Sequence, residues 1–166
     1  MLAFALALEF APGAELELLH VAEVDEVGYA LSDITAATIE GALQTALRVV
    51  ERIKGAPLPM TFMVVAMGRF GGGELGFASD ADVMFVYDPI GDEHAAHDAA
   101  LAVAGELRRL LMIPTPDPVL DIDAGLRPEG RNGPLVRSLD SYRAYYQRWS
   151  STWEAQALLR AEPVAG

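Results

Sequence analysis

The 166-residue sequence contains no cysteine. This absence excludes disulfide bonds, thiolate nucleophiles and zinc sites built from cysteine, and it favours a cytoplasmic location. Basic residues are scarce, because 12 Lys and Arg stand against 24 Asp and Glu, which gives a net charge of −12. A chain with this balance lacks the basic surface that non-specific nucleic-acid binding requires, so we expect no nucleic-acid partner.

The apolar run at the start of the chain, MLAFALALEF, is too short to cross a bilayer. Glu9 interrupts it, and it lacks the basic segment that opens a signal peptide. We therefore interpret it as a core strand or helix and expect no membrane partner. With 52% hydrophobic and 22% charged residues, the chain is expected to fold around a hydrophobic core.

The most informative stretch is TFMVVAMGRFGGGELGFASDADVMFVYD, residues 61–88. An apolar segment over residues 62–67 predicts a buried strand, and a second apolar run over 83–87 predicts another. A glycine-dense turn over residues 68–76 connects them.

Asp80 and Asp82 stand one residue apart where the second strand begins. Residues i and i+2 of a strand point to the same face, so the two carboxylates are expected side by side. Two like charges this close are costly unless a cation or a proton neutralises them. Next to a turn that can bind phosphate, the pair favours magnesium with a nucleotide triphosphate. The alternative is a pair of ordinary residues at a strand entry.

Two common glycine motifs fit the letters of the turn but not its context. Gly71, Gly73 and Gly76 match the dinucleotide fingerprint, which requires a full helix after its last glycine. The next strand begins within about six residues, which leaves no room for that helix. Gly68 and Gly73 match the glycines of a P-loop, but Glu74 stands where the P-loop lysine belongs.

The run GRFGGGELGFASDAD resembles the nucleotidyltransferases of the DNA polymerase β superfamily. Their pattern is a Gly with Ser or Gly after a strand and then Ser-Asp-x-Asp on the next strand, which Gly68 and Ser79 match. Arg69 departs from that pattern, but the run is similar to the signature of glutamine synthetase adenylyltransferase, also the adenylyl-removing enzyme, which has a basic residue there. The resemblance implies an α+β, polymerase β-like nucleotidyltransferase fold, with a mixed sheet flanked by helices and the start of a C-terminal helical subdomain.

A second motif, LDIDAGLRPEGRNGPLVRSL, begins on a strand predicted over residues 119–123. Asp121 and Asp123 share a face of that strand. The family reads xDxxLRPxGxxGxLV here, so the resemblance implies that Asp123 supplies the third carboxylate and that Asp121 supports it. For Asp123 the alternative is an ordinary strand end. Arg127, on the loop that follows, either binds triphosphate or pairs with acidic side chains.

The resemblance implies a metal-dependent site for ATP. The catalytic and metal-binding residues that it implies are Asp80, Asp82 and Asp123, holding two Mg²⁺ ions about 3.5–4 Å apart. The nucleotide-binding residues that it implies are Gly68, Arg69, Gly71, Gly72, Ser79 and Arg127. A tyrosine hydroxyl of glutamine synthetase would attack the α-phosphorus of ATP, with pyrophosphate as the leaving group.

We expect three segments along the chain: an N-terminal helical segment at 1–56, a nucleotidyltransferase core at 57–137 and the start of a helical subdomain at 138–166. Apolar spacing and capping residues predict helices over residues 32–52, 93–111, 138–149 and 152–161, with a break at Gly28. His94 and His97 are expected to face solvent. An aromatic cluster is expected to lie mostly in the core, and it comprises Tyr142, Tyr145, Tyr146, Trp149 and Trp153.

The tail SSTWEAQALLRA resembles the family's W-E-x-Q-A-L run. Family members carry two nucleotidyltransferase units, one that attaches AMP and one that removes it by phosphorolysis. The tail is more similar to the C-terminal, adenylylating unit, which implies a truncated unit that regulates nitrogen assimilation. The implied partners are glutamine synthetase and, through the full-length chain, a PII-type signal protein. Phosphorolytic removal of AMP, or an inactive fragment serving as an interaction module, are the alternatives.

Overall fold

A computed structural model describes residues 14–77, 79–114 and 120–166 of the chain, with side chains from residue 25 onward. The predictions for MLAFALALEF and for the strand start at Val119 lie outside these residues. The described chain forms a five-stranded mixed sheet flanked by helices, which confirms the predicted combination of elements.

Five strands and five α-helices are described. The strands are β1 (Met60–Ala66), β2 (Ala81–Pro89), β3 (Ile122–Asp123), β4 (Val136–Ser138) and β5 (Glu162–Ala165). The helices are α1 (Ala14–Lys54), α2 (Gly68–Gly71), α3 (Glu93–Leu111), α4 (Leu139–Arg148) and α5 (Thr152–Ala157). Single 3₁₀ turns lie at Gly130–Asn132 and Leu158–Arg160.

Strand β2 organises the sheet. It pairs antiparallel with β1, which in turn pairs antiparallel with β5. The short strands β3 and β4 both run parallel to β2, with β3 beside its first residues and β4 further along. The loop over residues 124–135 therefore leaves the sheet next to the start of β2 and returns to it at β4.

The two faces of the sheet bury different side chains, as the period of two requires. On one face, Val83 and Phe85 are fully buried beneath α1 and α3, which contribute Leu43 and Leu107. On the other face, Met84 and its neighbours pack against α4 and the turn at Leu158–Arg160. Because side chains alternate along a strand, Asp82 lies on the same face as Met84, next to the smaller of the two hydrophobic clusters.

Helix α1 is longer than predicted, and the break expected at Gly28 is wrong because the helix runs through it. Gly28 is buried, and a Cβ added there would lie 3.0 Å from the carbonyl oxygen of Gly73. The glycine therefore permits a close approach between α1 and the glycine-dense turn. The hydroxyl of Ser32 donates to the Gly28 carbonyl at 2.8 Å, one turn away on the same helix.

Helix α3 has the predicted bounds. Its N-cap is Asp92, whose carboxylate accepts a hydrogen bond of 2.7 Å from the backbone of Ala95. His94 is exposed as expected, but His97 is only partly exposed. Its Nδ1 lies 3.2 Å from the hydroxyl of Tyr87, so the expectation of a solvent-facing side chain is wrong for His97.

The C-terminal part differs from the prediction of two helices. The second helix ends at Ala157, and a 3₁₀ turn leads into β5, which joins the sheet beside β1. Tyr142 is buried, whereas Trp149 and Trp153 are 71% and 48% exposed, so the expected core position is wrong for both tryptophans. Part of the segment assigned to a helical subdomain thus belongs to the sheet, and the predicted domain division stays a prediction. Among the described helices, none is both long and apolar enough to cross a membrane.

Candidate functional site

Asp82 and Asp123 are direct neighbours in the sheet. They are register partners on the parallel strands β2 and β3, so their side chains emerge on the same face. Asp80 is exposed just before β2. Burial raises the pKa of Asp82, the charges of Asp123 and Asp80 raise it further, and the Arg69 guanidinium partly offsets them. The structure therefore brings the three predicted carboxylates within electrostatic reach of one another.

Asp123 is the best-neutralised of the three carboxylates. Its Oδ1 accepts a hydrogen bond of 2.7 Å from the Gly125 backbone, and its Oδ2 pairs with Nη2 of Arg131 at 3.1 Å. Burial on its own would raise the pKa of Asp123, but these two donors hold it below its ordinary value. Two donors therefore favour the ionised form of Asp123, whereas burial and the neighbouring carboxylates disfavour the ionised form of Asp82.

Gly68 lies directly against the carboxylate of Asp82. Its φ is +54°, and a Cβ built there would come within 2.6 Å of Oδ2 of Asp82. The backbone N–H of Met67 donates to the Asp82 carbonyl at 2.8 Å, which ties the turn to β2. Only glycine fits both the left-handed backbone and the short approach. The site thus explains this glycine by contact with a candidate ligand group.

Arg69 and Ser79 contact each other across the turn. Nη2 of Arg69 donates to the Ser79 hydroxyl at 2.8 Å, and the backbone N–H of Gly76 donates to the same oxygen at 3.2 Å. The charge of Arg69 also offsets part of the rise in the pKa of Asp82, so its guanidinium lies within electrostatic reach of that carboxylate. The two predicted residues therefore belong to one hydrogen-bonded unit beside the carboxylates.

Gly71 and Gly72 have a packing role that the sequence pattern did not reveal. A Cβ at Gly71 would come within 1.8 Å of the Arg160 carbonyl oxygen, and the Arg160 guanidinium lies beside Gly72 and pairs with Glu74. The N–H groups of both glycines donate to carbonyls inside the turn. These contacts favour packing of the C-terminal turn as the reason for the two glycines, and their part in nucleotide binding stays a prediction.

Arg127 supports the loop over residues 124–135. Its Nε, Nη1 and Nη2 donate to the backbone carbonyls of Gly133, Ala124 and Arg131, at 3.1, 2.6 and 3.1 Å. The geometry therefore favours backbone carbonyls over acidic side chains as the partners of Arg127. All three nitrogens serve the backbone, so a direct contact between Arg127 and a nucleotide stays a prediction.

Glu154 is a residue whose role the sequence did not indicate beyond the family run. It is 3% exposed, and its carboxylate accepts from the backbone and hydroxyl of Ser151, the backbone of Glu129 and the hydroxyl of Tyr145. Burial opposes ionisation, yet these donors lower the pKa of Glu154 to about 2. The spacing Ser151-x-x-Glu154 is a capping box, which was the available sequence signal. The contact with Glu129 has no such signal.

A cleft of about 340 Å³ opens beside Asp123. Acidic and basic side chains share its walls: Asp80, Asp121, Asp123, Arg108, Arg127 and Arg131. A cleft with both charges suits a ligand that carries a cation and phosphates together.

Within the residues that the structure describes, no three acidic or histidine side chains form a ready metal cage. The donor set itself fits magnesium, because carboxylate oxygens on adjacent strands are hard ligands. Burial, followed by the charges of Asp123 and Asp80, raises the pKa of Asp82, and a bound cation would offset that penalty on the ionised carboxylate. The remaining obstacle to metal binding is Arg131, which is hydrogen-bonded to Oδ2 of Asp123 and would have to leave that oxygen.

The sequence matches the family of glutamate-ammonia ligase adenylyltransferase over residues 10–166, and the chain belongs to this family. Similar proteins include the bifunctional glutamine synthetase adenylyltransferase/adenylyl-removing enzymes of three bacteria. That of Streptomyces avermitilis is 61% identical over 86% of this chain, that of Nocardia farcinica 50% over 95%, and that of Mycobacterium avium 49% over 95%. The chain spans only 14–16% of the length of these relatives.

Proposed function

We propose that this chain is a nucleotidyltransferase unit of the polymerase β-like fold that transfers AMP from ATP to a tyrosine of glutamine synthetase. One observation carries the proposal, which is the adjacency of Asp82 and Asp123 on parallel strands, with Asp80 nearby and Gly68 against them. The family of the chain and the names of its relatives support the same chemistry.

Asp80, Asp82 and Asp123 would hold magnesium ions, which would neutralise phosphate charge and lower the pKa of a bound hydroxyl. The carboxylates themselves fix where that positive charge sits, because β2 and β3 hold them in register. Arg69 and the cleft arginines other than Arg127 would bind the phosphates and leave the α-phosphorus open to the tyrosine hydroxyl. The oxygen–phosphorus bond to pyrophosphate breaks as the bond to tyrosine forms.

The direction of the reaction is part of the proposal. We infer adenylylation from the C-terminal run around Trp153, Glu154 and Gln156, which resembles that of the adenylylating unit. Supplying the chain either with ATP and unmodified glutamine synthetase or with phosphate and the AMP-bearing form separates the two directions. Label transferred only in the second case would reverse our assignment. The PII-type partner and the cytoplasmic setting remain predictions.

The site is tested by replacing Asp82 and, as a control, Asp88. Both lie on β2, but Asp88 is exposed near the other end of the strand, about 20 Å away at the usual rise per residue. We expect Asp82→Asn to abolish magnesium-dependent ATP binding in calorimetry and transfer of labelled AMP, whereas Asp88→Asn keeps both. Unchanged binding and transfer in Asp82→Asn would refute the proposal.

A further inference from the structure

The backbone that carries Arg131 is held in place by neighbouring contacts. The carbonyl of Arg131 is held by Nη2 of Arg127, and the residue lies in the 3₁₀ turn Gly130–Asn132. The turn follows Glu129, which has a left-handed φ of 64° and whose N–H is bound by the buried Glu154. The backbone at Arg131 is therefore fixed by contacts on both sides.

The side chain of Arg131, by contrast, is 82% exposed. The ion pair with Asp123 at 3.1 Å is its hydrogen-bonded contact among the described residues. An exposed ion pair of this kind is weak, because solvent screens it and a long side chain must be ordered to form it. Arg131 can therefore leave Asp123 at little cost without any change in the backbone.

The cleft offers Arg131 a second place to bind. Arg131 lines the same cleft as Arg108, whereas each nitrogen of Arg127 beside it already donates to a backbone carbonyl. A guanidinium there matches the geometry of phosphate oxygens, which it can bind through two parallel hydrogen bonds.

We propose that Arg131 exchanges partners as the site fills. It neutralises Asp123 while no cation is bound, and it turns to the polyphosphate of the nucleotide once a divalent cation takes Asp123. This inference rests on the proposed function. The cation and the guanidinium compete for one carboxylate, and their mutual repulsion then drives Arg131 towards the negative charge of the phosphates.

The exchange predicts opposite changes in two affinities of this chain when Arg131 becomes Gln. Without its competitor, Mg²⁺ alone should bind about twofold to fivefold more tightly, which is the range for an exposed ion pair. At saturating Mg²⁺, ATP should bind about tenfold more weakly, because one charged hydrogen bond is lost. Both are measured by calorimetry. Arg131→Lys, which keeps the charge, should recover part of each change.

Arg143→Gln is the matched control, since Arg143 forms a similar exposed ion pair with Asp140 on α4. It should alter neither affinity. If Arg131→Gln weakens both affinities, or changes neither while Asp82→Asn abolishes Mg²⁺ binding, the exchange is overturned and the proposed function stands. If the unaltered chain binds no Mg²⁺, or Asp82→Asn leaves that binding intact, the proposed function itself fails, and the exchange with it.

Discussion

Replacing Glu154 by Gln should destabilise the chain although the two side chains have nearly the same shape. The carboxylate accepts four hydrogen bonds, two on each oxygen. An amide can accept on one side only and presents an NH₂ group to the donors on the other. The hydroxyls of Ser151 and Tyr145 can rotate to adapt, but the backbone N–H of Ser151 or of Glu129 then faces another donor.

The expected loss of unfolding free energy in Glu154→Gln can be estimated in two ways. A buried N–H left unsatisfied, together with weaker neutral hydrogen bonds, costs about 2–4 kcal/mol. Independently, the pKa of Glu154 is lowered from 4.5 to about 2, and such a shift corresponds to about 3 kcal/mol. We take the second figure as an upper limit because the loop that covers the carboxylate is close to solvent.

The lowered pKa of Glu154 also determines how its contribution to stability changes with pH. Since the pKa of Glu154 is depressed in the folded state, its stabilisation is present above pH 4.5 and is lost as the pH falls towards 2. Gln does not titrate. The difference in unfolding free energy between the original chain and Glu154→Gln should therefore narrow progressively as the pH falls through this window.

Urea unfolding at pH 7 and at pH 3, followed by tryptophan fluorescence, measures both effects. Glu51→Gln is the control, because Glu51 is exposed on α1 and its replacement should change stability by less than about 0.5 kcal/mol. A cost below that value for Glu154→Gln at pH 7, or a cost that does not shrink on acidification, would refute the reasoning.

Three further changes test the packing and the charges. Gly71→Ala should lower the unfolding free energy by about 2 kcal/mol or more because its methyl group meets the Arg160 carbonyl, whereas Gly105→Ala, with open space on α3, should raise it by about 0.5–1 kcal/mol in the same urea titration. Tyr142→Phe removes a buried hydrogen bond of 3.2 Å to a strand carbonyl and should cost about 1 kcal/mol. Since burial raises the pKa of Tyr142, an alkaline ultraviolet titration should also lose its latest-ionising phenol in this variant, and an unchanged curve would contradict the assignment. Asp82→Asn should stabilise the metal-free chain at pH 7 by about 0.2–1 kcal/mol, because burial and the neighbouring carboxylates, which raise the pKa of Asp82, penalise its charge once the pH exceeds that pKa. Thermal melts with EDTA check the gain.

Local patterns were sufficient for the strands and helices nearest the site. The apolar runs on either side of the glycine turn predicted β1 and β2, and the apolar stripe over residues 96–110 predicted α3. These patterns are informative because the periods of a strand and a helix, two and 3.6 residues, depend only on residues that are close in sequence. The same period predicts that Asp80 and Asp82 share a face, although β2 begins only at Ala81.

The contacts that shape the site come from distant parts of the chain. Arg160 against Gly71, Glu154 on the backbone of Glu129 and β5 beside β1 all join segments that no local period connects. For the same reason a break was expected at Gly28, although the glycine instead lets α1 approach the turn. Residue types and spacing thus specified which groups could act. Packing between remote segments determined how those groups are held, because contacts such as that of the Arg160 carbonyl with Gly71 form only once the chain has folded.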